Sequence, residues 1–406
     1  MITRDAASLG TKPAIRSAKN PSASSAQLLH VSLDDLFSPA TNEYQVDPRS
    51  CQGHTDPIAG HVVPYRESDE DDDMNRRDLL RLLSITGALV ALPYAEPALG
   101  QSPDSAKSTE PDPAEYEQLN DRLWQLFGLS SSKRLVYPMV RRQLGVLTGD
   151  LEQARTMAGH RRVCTATADL FQLAGEIFFD ANRYTDAASC YSLAVSAARE
   201  VGAYDLLASA LTRHAFISLY EHRHNAAETL LTVAARAADR GDPQLSTRHW
   251  VAAVRANAFA GLRDLDACSR QLKTAEHVLG LNGPVTRSGW LRSDGSRLAE
   301  ESGACYLQLG RTDLAETALY QALGQANSPR RRSAVLTDLA LLGLRHGDLD
   351  LALQHGYAAA QVAEPTKSAG YVGRKLLSLQ DRITPFAADK RVREFIDRID
   401  AVVPKA

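Results

Sequence analysis

The chain has 406 residues, 44% apolar and 23% charged, ordinary globular material long enough for about two or three average domains. A formal charge of -3 and a pI near 6.4 argue against a chain-wide basic surface of the kind that holds nucleic acid phosphates. Only 6% of residues are aromatic while Ala and Leu dominate, which favours close-packed helices over sheets, so the expected fold class is all-α.

Residues 1–73 are rich in Ser, Pro, Ala and acids, carry a formal charge of -6 and end in the acidic run Ser68 to Asp73. Such composition buries too little apolar area to offset ordering entropy, so this region is predicted to be largely disordered. One amphipathic island stands out at residues 28–38, LLHVSLDDLFS, with Ser32 placed as an N-cap and Asp34 and Asp35 in the first turn.

Residues 74–100 are predicted to form an apolar helix led by Arg76 and Arg77 and ended by Pro93 and Pro97. Two readings stay open. One is an amphipathic linker helix. The other is a twin-arginine-like secretion signal with Ala98-Leu99-Gly100 at its cleavage site, which requires translation to start at Met74. The apolar run is too short for the roughly 20 residues of a membrane span, so no stable membrane insertion is expected. Residues 101–113 read as a Pro-rich linker.

From 114 to 403 the sequence is one run of helical periods punctuated by short Gly, Asp and Asn turns. A ladder of small and large residues repeats along it: Phe171, Gly175, Phe178, Ala187, Tyr191 and Ala194, then Ala299, Gly303, Tyr306, Ala315, Leu319 and Ala322, then Leu336, Ala340, Gly343, Ala352, Gly356 and Ala359. Weaker copies centre on Ala227 and Ala267. Two antiparallel helices approach closely only where small side chains face each other, so Gly303 and Ala315 are the expected contact pair, with Tyr306 and Leu319 as fillers. The reference alanines Ala187, Ala227, Ala267, Ala315 and Ala352 are 40, 40, 48 and 37 residues apart.

This ladder resembles the tetratricopeptide repeat, at a spacing longer than its roughly 34 residues. The resemblance implies an α-solenoid of about five to six helix pairs. The order MNRRDLLRLL, GHRRVCTATADLFQLAGEIFFD, YTDAASCYSLAVSAARE, ADRGDPQ, GLRDLDACSRQLKTAE, LAEESGACYLQLGR and DLALLGLRHGDLDLALQHG is similar, over roughly residues 70–400, to the C-terminal part of actinobacterial-type regulators. In these a Cro-like helix-turn-helix head precedes an acidic linker and a tetratricopeptide-like sensor. The Leu-Asp-Asp-Leu-Phe phrase of the 28–38 island resembles the last helix of such a head, but only 27 residues precede it, and no DNA-reading helix is found among them. Direct DNA binding by this chain alone is therefore not expected.

No catalytic constellation is recognisable. Glycines occur singly, so no phosphate-cradling loop is present, and no serine sits in GxSxG. The chain is read as a non-enzyme without cofactor or metal. The cysteines Cys51, Cys164, Cys190, Cys268 and Cys305 form no CxxC pair and read as reduced, mostly buried thiols. His222-Arg223-His224 offers at most half a metal site, and a solvated turn is the plainer reading. Ser328-Pro329-Arg330-Arg331-Arg332 is either a patch for an acidic partner or, more plainly, a solvated helix start.

What remains is the concave face lined by the first helix of each pair. The residues one turn from the packing positions are Asp169, Gln172, Glu176, Asp180, Tyr220, His249, Arg297, Glu300, Gln308 and Arg345. They grade from acidic to more basic, a pattern suited to an extended or helical peptide or a protein, with Phe216 and Phe259 as apolar anchors. The long gap between Ala267 and Ala315 carries Trp290, either a ligand contact or a plug. The expectation is a cytoplasmic, non-enzymatic regulatory module that binds a peptide or protein in its groove, with self-association as a further mode of partnership. The rival is an exported repeat scaffold beginning at Met74.

Overall fold

A computed structural model of the chain describes residues 113–130, 133–281, 289–291, 295–326, 328–366 and 370–403. The 28–38 island, the Arg-Arg-led segment and residues 101–112 of the linker lie outside the described residues, as does Cys51. Among the described residues, fourteen α-helices and four short 3-10 turns account for the regular structure, and no strand occurs.

Two helices come first, α1 (Pro113–Leu129) and α2 (Tyr137–Gln153). Five antiparallel hairpins follow: α3 (Met157–Asp180) with α4 (Tyr184–Glu200), α5 (Tyr204–Tyr220) with α6 (His224–Arg240), α7 (Thr247–Gly261) with α8 (Leu265–Glu276), α9 (Leu298–Leu309) with α10 (Thr312–Gln325), and α11 (Pro329–His346) with α12 (Leu349–Ala363). A last pair, α13 (Tyr371–Ile383) and α14 (Lys390–Val402), closes the array. None of the described helices is long and apolar enough to cross a membrane.

The hairpins share one turn. In each, a single residue takes a left-handed backbone: Asn182, His222, Arg263, Gly310 and Gly347, spaced by 40, 41, 47 and 37 residues. The next residue's N–H then reaches back to the carbonyl five positions earlier, Arg183 to Phe178, Arg223 to Ser218, Asp264 to Phe259, Arg311 to Tyr306 and Asp348 to Gly343, at 2.8–3.0 Å. This bond consumes one of the orphan carbonyls at the end of the first helix. Asp264 and Asp348 then cap the second helix, accepting from the N–H of Ala267 and Leu351.

Inside each hairpin the small positions do what their size permits. A side chain on Gly175 would strike the ring of Tyr191, which is fully buried, and one on Gly303 would lie 2.6 Å from Leu319. At Gly343 the backbones themselves meet, with Ala352 N only 2.8 Å from the absent Cβ. Gly356, where the ladder has glycine in place of a large residue, leaves room for the ring of Phe395 from α14. All five reference alanines are buried. The expected Gly303–Ala315 pair is refined: Leu319 fills the space over Gly303.

Successive hairpins stack in chain order. The first helices α3, α5, α7, α9, α11 and α13 touch one another in sequence as an inner layer, and the second helices flank them. The array curls, because the end of α3 meets the far end of the layer: Asp180 pairs with Arg330 of α11, and its backbone lies where a Cβ on Gly370 would project, just before α13.

Candidate functional site

The inner layer carries the groove residues read from the sequence, and most are engaged by this chain. Near the start, α1 lies on α3. Its buried stripe Tyr116, Asn120, Leu123, Trp124 and Phe127 follows the helical period. Trp124 Nε1 donates to Asp169 Oδ1 at 2.7 Å, and Asn120 Nδ2 donates to Asp169 Oδ2 at 3.0 Å and to the Ala166 carbonyl at 2.9 Å. Burial pushes the Asp169 carboxyl up to about 6, against the pull of those two donors and of Arg213.

Arg213 of α5, 5% exposed, organises the same end. Its guanidinium stands 5.2 Å from the Trp124 ring centroid and 4.9 Å from that of Trp250, a double cation–π arrangement. It donates to Gln172 Oε1 at 2.8 Å, to the Ser209 hydroxyl and to the carbonyl of Trp290 at 2.6 Å, and lies 3.6 Å from Glu176. Glu176 also accepts from Tyr191 Oη at 2.9 Å. The chain has three tryptophans, and all three meet at Arg213. The insertion between α8 and α9 thus returns to the inner face, where Gly289 also stands beside Asp121 of α1. Trp290 contributes its carbonyl there.

A second node lies where the curl closes. Glu300 of α9 accepts from Arg331 Nε at 3.0 Å, Tyr371 Oη at 2.9 Å and Arg297 at 3.4 Å. Burial raises its carboxyl, but Arg297 and Arg331 outweigh this and hold it below its ordinary value. Beside it Lys375 pairs with Asp338, whose carboxyl burial pushes up, and Tyr220 packs on Phe179 and Tyr371 with ring centroids 5.0 and 6.3 Å apart. Arg374 of α13 covers the Tyr184 ring at 4.6 Å.

Three of the groove residues therefore stand at the first node (Asp169, Gln172 and Glu176), and Asp180, Tyr220, Arg297 and Glu300 stand at the second, where Asp180 pairs with Arg330. Three stand apart. His249 faces its own hairpin partner, with Nδ1 2.9 Å from the Thr274 carbonyl of α8. Gln308 offers its backbone carbonyl to Arg263, and Arg345 is exposed. Arg330 and Arg331 start α11 after the Ser328 cap, as a helix start should, but turn inward onto Asp180 and Glu300 instead of remaining solvated; only Arg332 is exposed. His222 and His224 stack edge to face at 6.0 Å; His222 is exposed at the tip of the turn, while the half-buried His224 ring is seated over Gly261. Phe259 lies under Arg255 at 5.4 Å, and Phe216 is half-buried. Sequence reading missed Asn120, Trp124, Arg213 and Trp250, although the convergence of scarce tryptophans was the available signal.

No protein-family model matches the chain, and no curated protein is similar to it at a significant level.

Proposed function

We propose that the chain is a non-enzymatic, tetratricopeptide-like regulatory module whose inner layer reads a helical segment bearing a tryptophan. The observation that carries this reading is α1. It is a helix on the inner face, anchored by one aromatic residue between an acid and an arginine, which is how a helical ligand is gripped in a groove. The tetratricopeptide-like assignment draws on the recurring left-handed turn and the Gly and Ala close contacts. In this reading α1 is the resident of the groove, a partner helix competes for the same place, and release of α1 passes the signal to the residues that precede it. The four described cysteines are buried and no disulfide joins them to one another, which supports work in a reducing compartment such as the cytoplasm. The curl is closed by paired charges, and its opening is the second state such a switch needs.

The test separates α1 from the array without removing it. A protease site is placed between Ser130 and Lys133, the purified chain is cut, and exchange of the excised segment with a labelled synthetic peptide of residues 113–129 is followed by fluorescence anisotropy. Exchange with a measurable Kd, weakened about 10- to 100-fold by Arg213→Ala in line with a buried cation–π and hydrogen-bonded anchor, is expected. If the array unfolds on cutting, or if the peptide binds Arg213→Ala equally well, α1 is ordinary core and the reading fails.

A further inference from the structure

We propose a zinc site at the mouth of the first hairpin, formed by His160, Cys164 and Glu200. His160 and Cys164 are four apart on α3, so their side chains share one face, and antiparallel pairing brings Glu200, the last residue of α4, onto the same spot. Their three ligand atoms lie within 4.8 Å of one another. His160 Nε2 faces both partners, 2.5 Å from Glu200 Oε1 and 3.5 Å from Cys164 Sγ. The Thr156 cap, accepting from Gly159 N at 3.0 Å, fixes the turn that carries the histidine.

Tetrahedral zinc with bonds of about 2.0–2.3 Å separates its donors by about 3.3–3.6 Å. The sulfur–nitrogen spacing already suits this, and the nitrogen–oxygen pair needs to open by less than about 1 Å. One sulfur, one imidazole nitrogen and one carboxylate oxygen form a mixed set that favours zinc over the oxygen-seeking magnesium and calcium. Three protein ligands leave a fourth position for water or a partner's side chain. Access is present, since the His160 and Glu200 side chains are each 12% exposed, while Cys164 is buried behind them. On binding, the Cys164 thiol proton passes to solvent as the metal–sulfur bond forms, and the neutral His160 ring ligates through Nε2 with its proton on Nδ1. The metal then ties the start of α3, the helix that carries Asp169, to the end of α4.

The experiment uses the full chain, metal-stripped and kept reduced with a phosphine, and titrates it with Co2+ as a spectroscopic probe and then Zn2+. A thiolate-to-cobalt charge-transfer band saturating at one equivalent, bleached by Zn2+, and a rise in melting temperature with Zn2+ but not Mg2+ are expected. Cys164→Ser should abolish the band, and Glu200→Gln should weaken Co2+ binding at least tenfold. His160→Gln, at a more exposed position, supplies a second variant if Cys164→Ser folds poorly, as judged by circular dichroism without metal. A spectrum with no thiolate band, or a band that survives both Cys164→Ser and His160→Gln, overturns the proposal.

Discussion

The seams between paired helices and the inner layer are built from the same helices but by different physics. In the seams, glycine on one helix receives a larger residue or bare backbone from the next helix, close by in sequence, as Gly175 does with Tyr191 and Gly343 with Ala352. The inner layer instead pairs ions and aromatic rings across long stretches of chain: Arg213 with Trp290 over 77 residues, Arg330 with Asp180 over 150, Arg374 with Asn182 over 192. The seams build a hairpin that is complete in itself. The longest of the inner contacts, such as Arg330 with Asp180, close the curl, and they exist only once the hairpins between them are stacked.

The sharpest way to break this comparison is to remove one member of a buried ion cluster. Glu300→Ala leaves Arg331 and Tyr371 without their shared acceptor, and should cost about 3–5 kcal/mol in urea unfolding, as breaking a buried pair does. If the inner contacts govern curl more than hairpin integrity, small-angle scattering of this variant should show expansion while helicity is kept. Arg345→Ala, an exposed change on the same layer, should stay within about 0.5 kcal/mol.

Two buried titrating groups sharpen the contrast, because their signs oppose. His214, fully buried beside the Tyr191 ring, has its imidazole pushed down to about 4 by burial, assisted by Arg223. Its folded value lies below the unfolded one of about 6.5, so its contribution is complete above pH 6.5 and is lost as pH falls towards 4, on the order of 3 kcal/mol in all. His214→Phe should therefore retain more stability than the parent at pH 4.5 relative to pH 7.5. Asp169 runs the other way. Its carboxyl is raised to about 6, so its contribution is complete below about 4 and is lost as pH rises through 6, by a similar order of magnitude. The stability difference between Asp169→Asn and the parent should accordingly grow with pH between 4 and 6.5, and a difference independent of pH would remove the buried-acid account of α1 docking.

The contrast also explains what could be read from the sequence. The ladder and the all-α character follow from periods of a few residues, and the left-handed Asn182, Gly310 and Gly347 fall in the short Gly and Asn turns that punctuate the sequence. The inner site was legible only as a set of positions on the first helices. Asp169 and Glu300 were placed on the right layer, but nothing local to Asp169 names Trp124, and nothing local to Glu300 names Tyr371. Arg330 and Arg331 look like a solvated helix start because charge next to proline at a cap is usually solvated; their partners arrive from α3 and α9 only through the curl. His249 departs from the pattern in the third hairpin, one of the two with a weak ladder, where a one-step change of register turns a helical residue from one face towards the next.

The smallest expected effects test whether the seams work as steric fits. A methyl group at Gly343 would meet backbone atoms of Ala352 at 2.8 and 3.1 Å and of Asp348 at 3.2 Å, none of which can swing aside as a side chain can. Gly343→Ala should therefore force α11 and α12 apart and cost about 1–3 kcal/mol by overpacking, despite the gain in helix propensity. Gly149 sits in helix α2 with nothing within 4 Å of its absent Cβ, so Gly149→Ala should stabilise by about 0.5–1 kcal/mol through propensity alone. Thermal melts of the two variants measure one substitution in two surroundings. Opposite signs attribute the ladder's glycines to close approach between helices, whereas two stabilising shifts would mean that the seam at Gly343 yields freely, and the small-against-large fit would then no longer account for the hairpins.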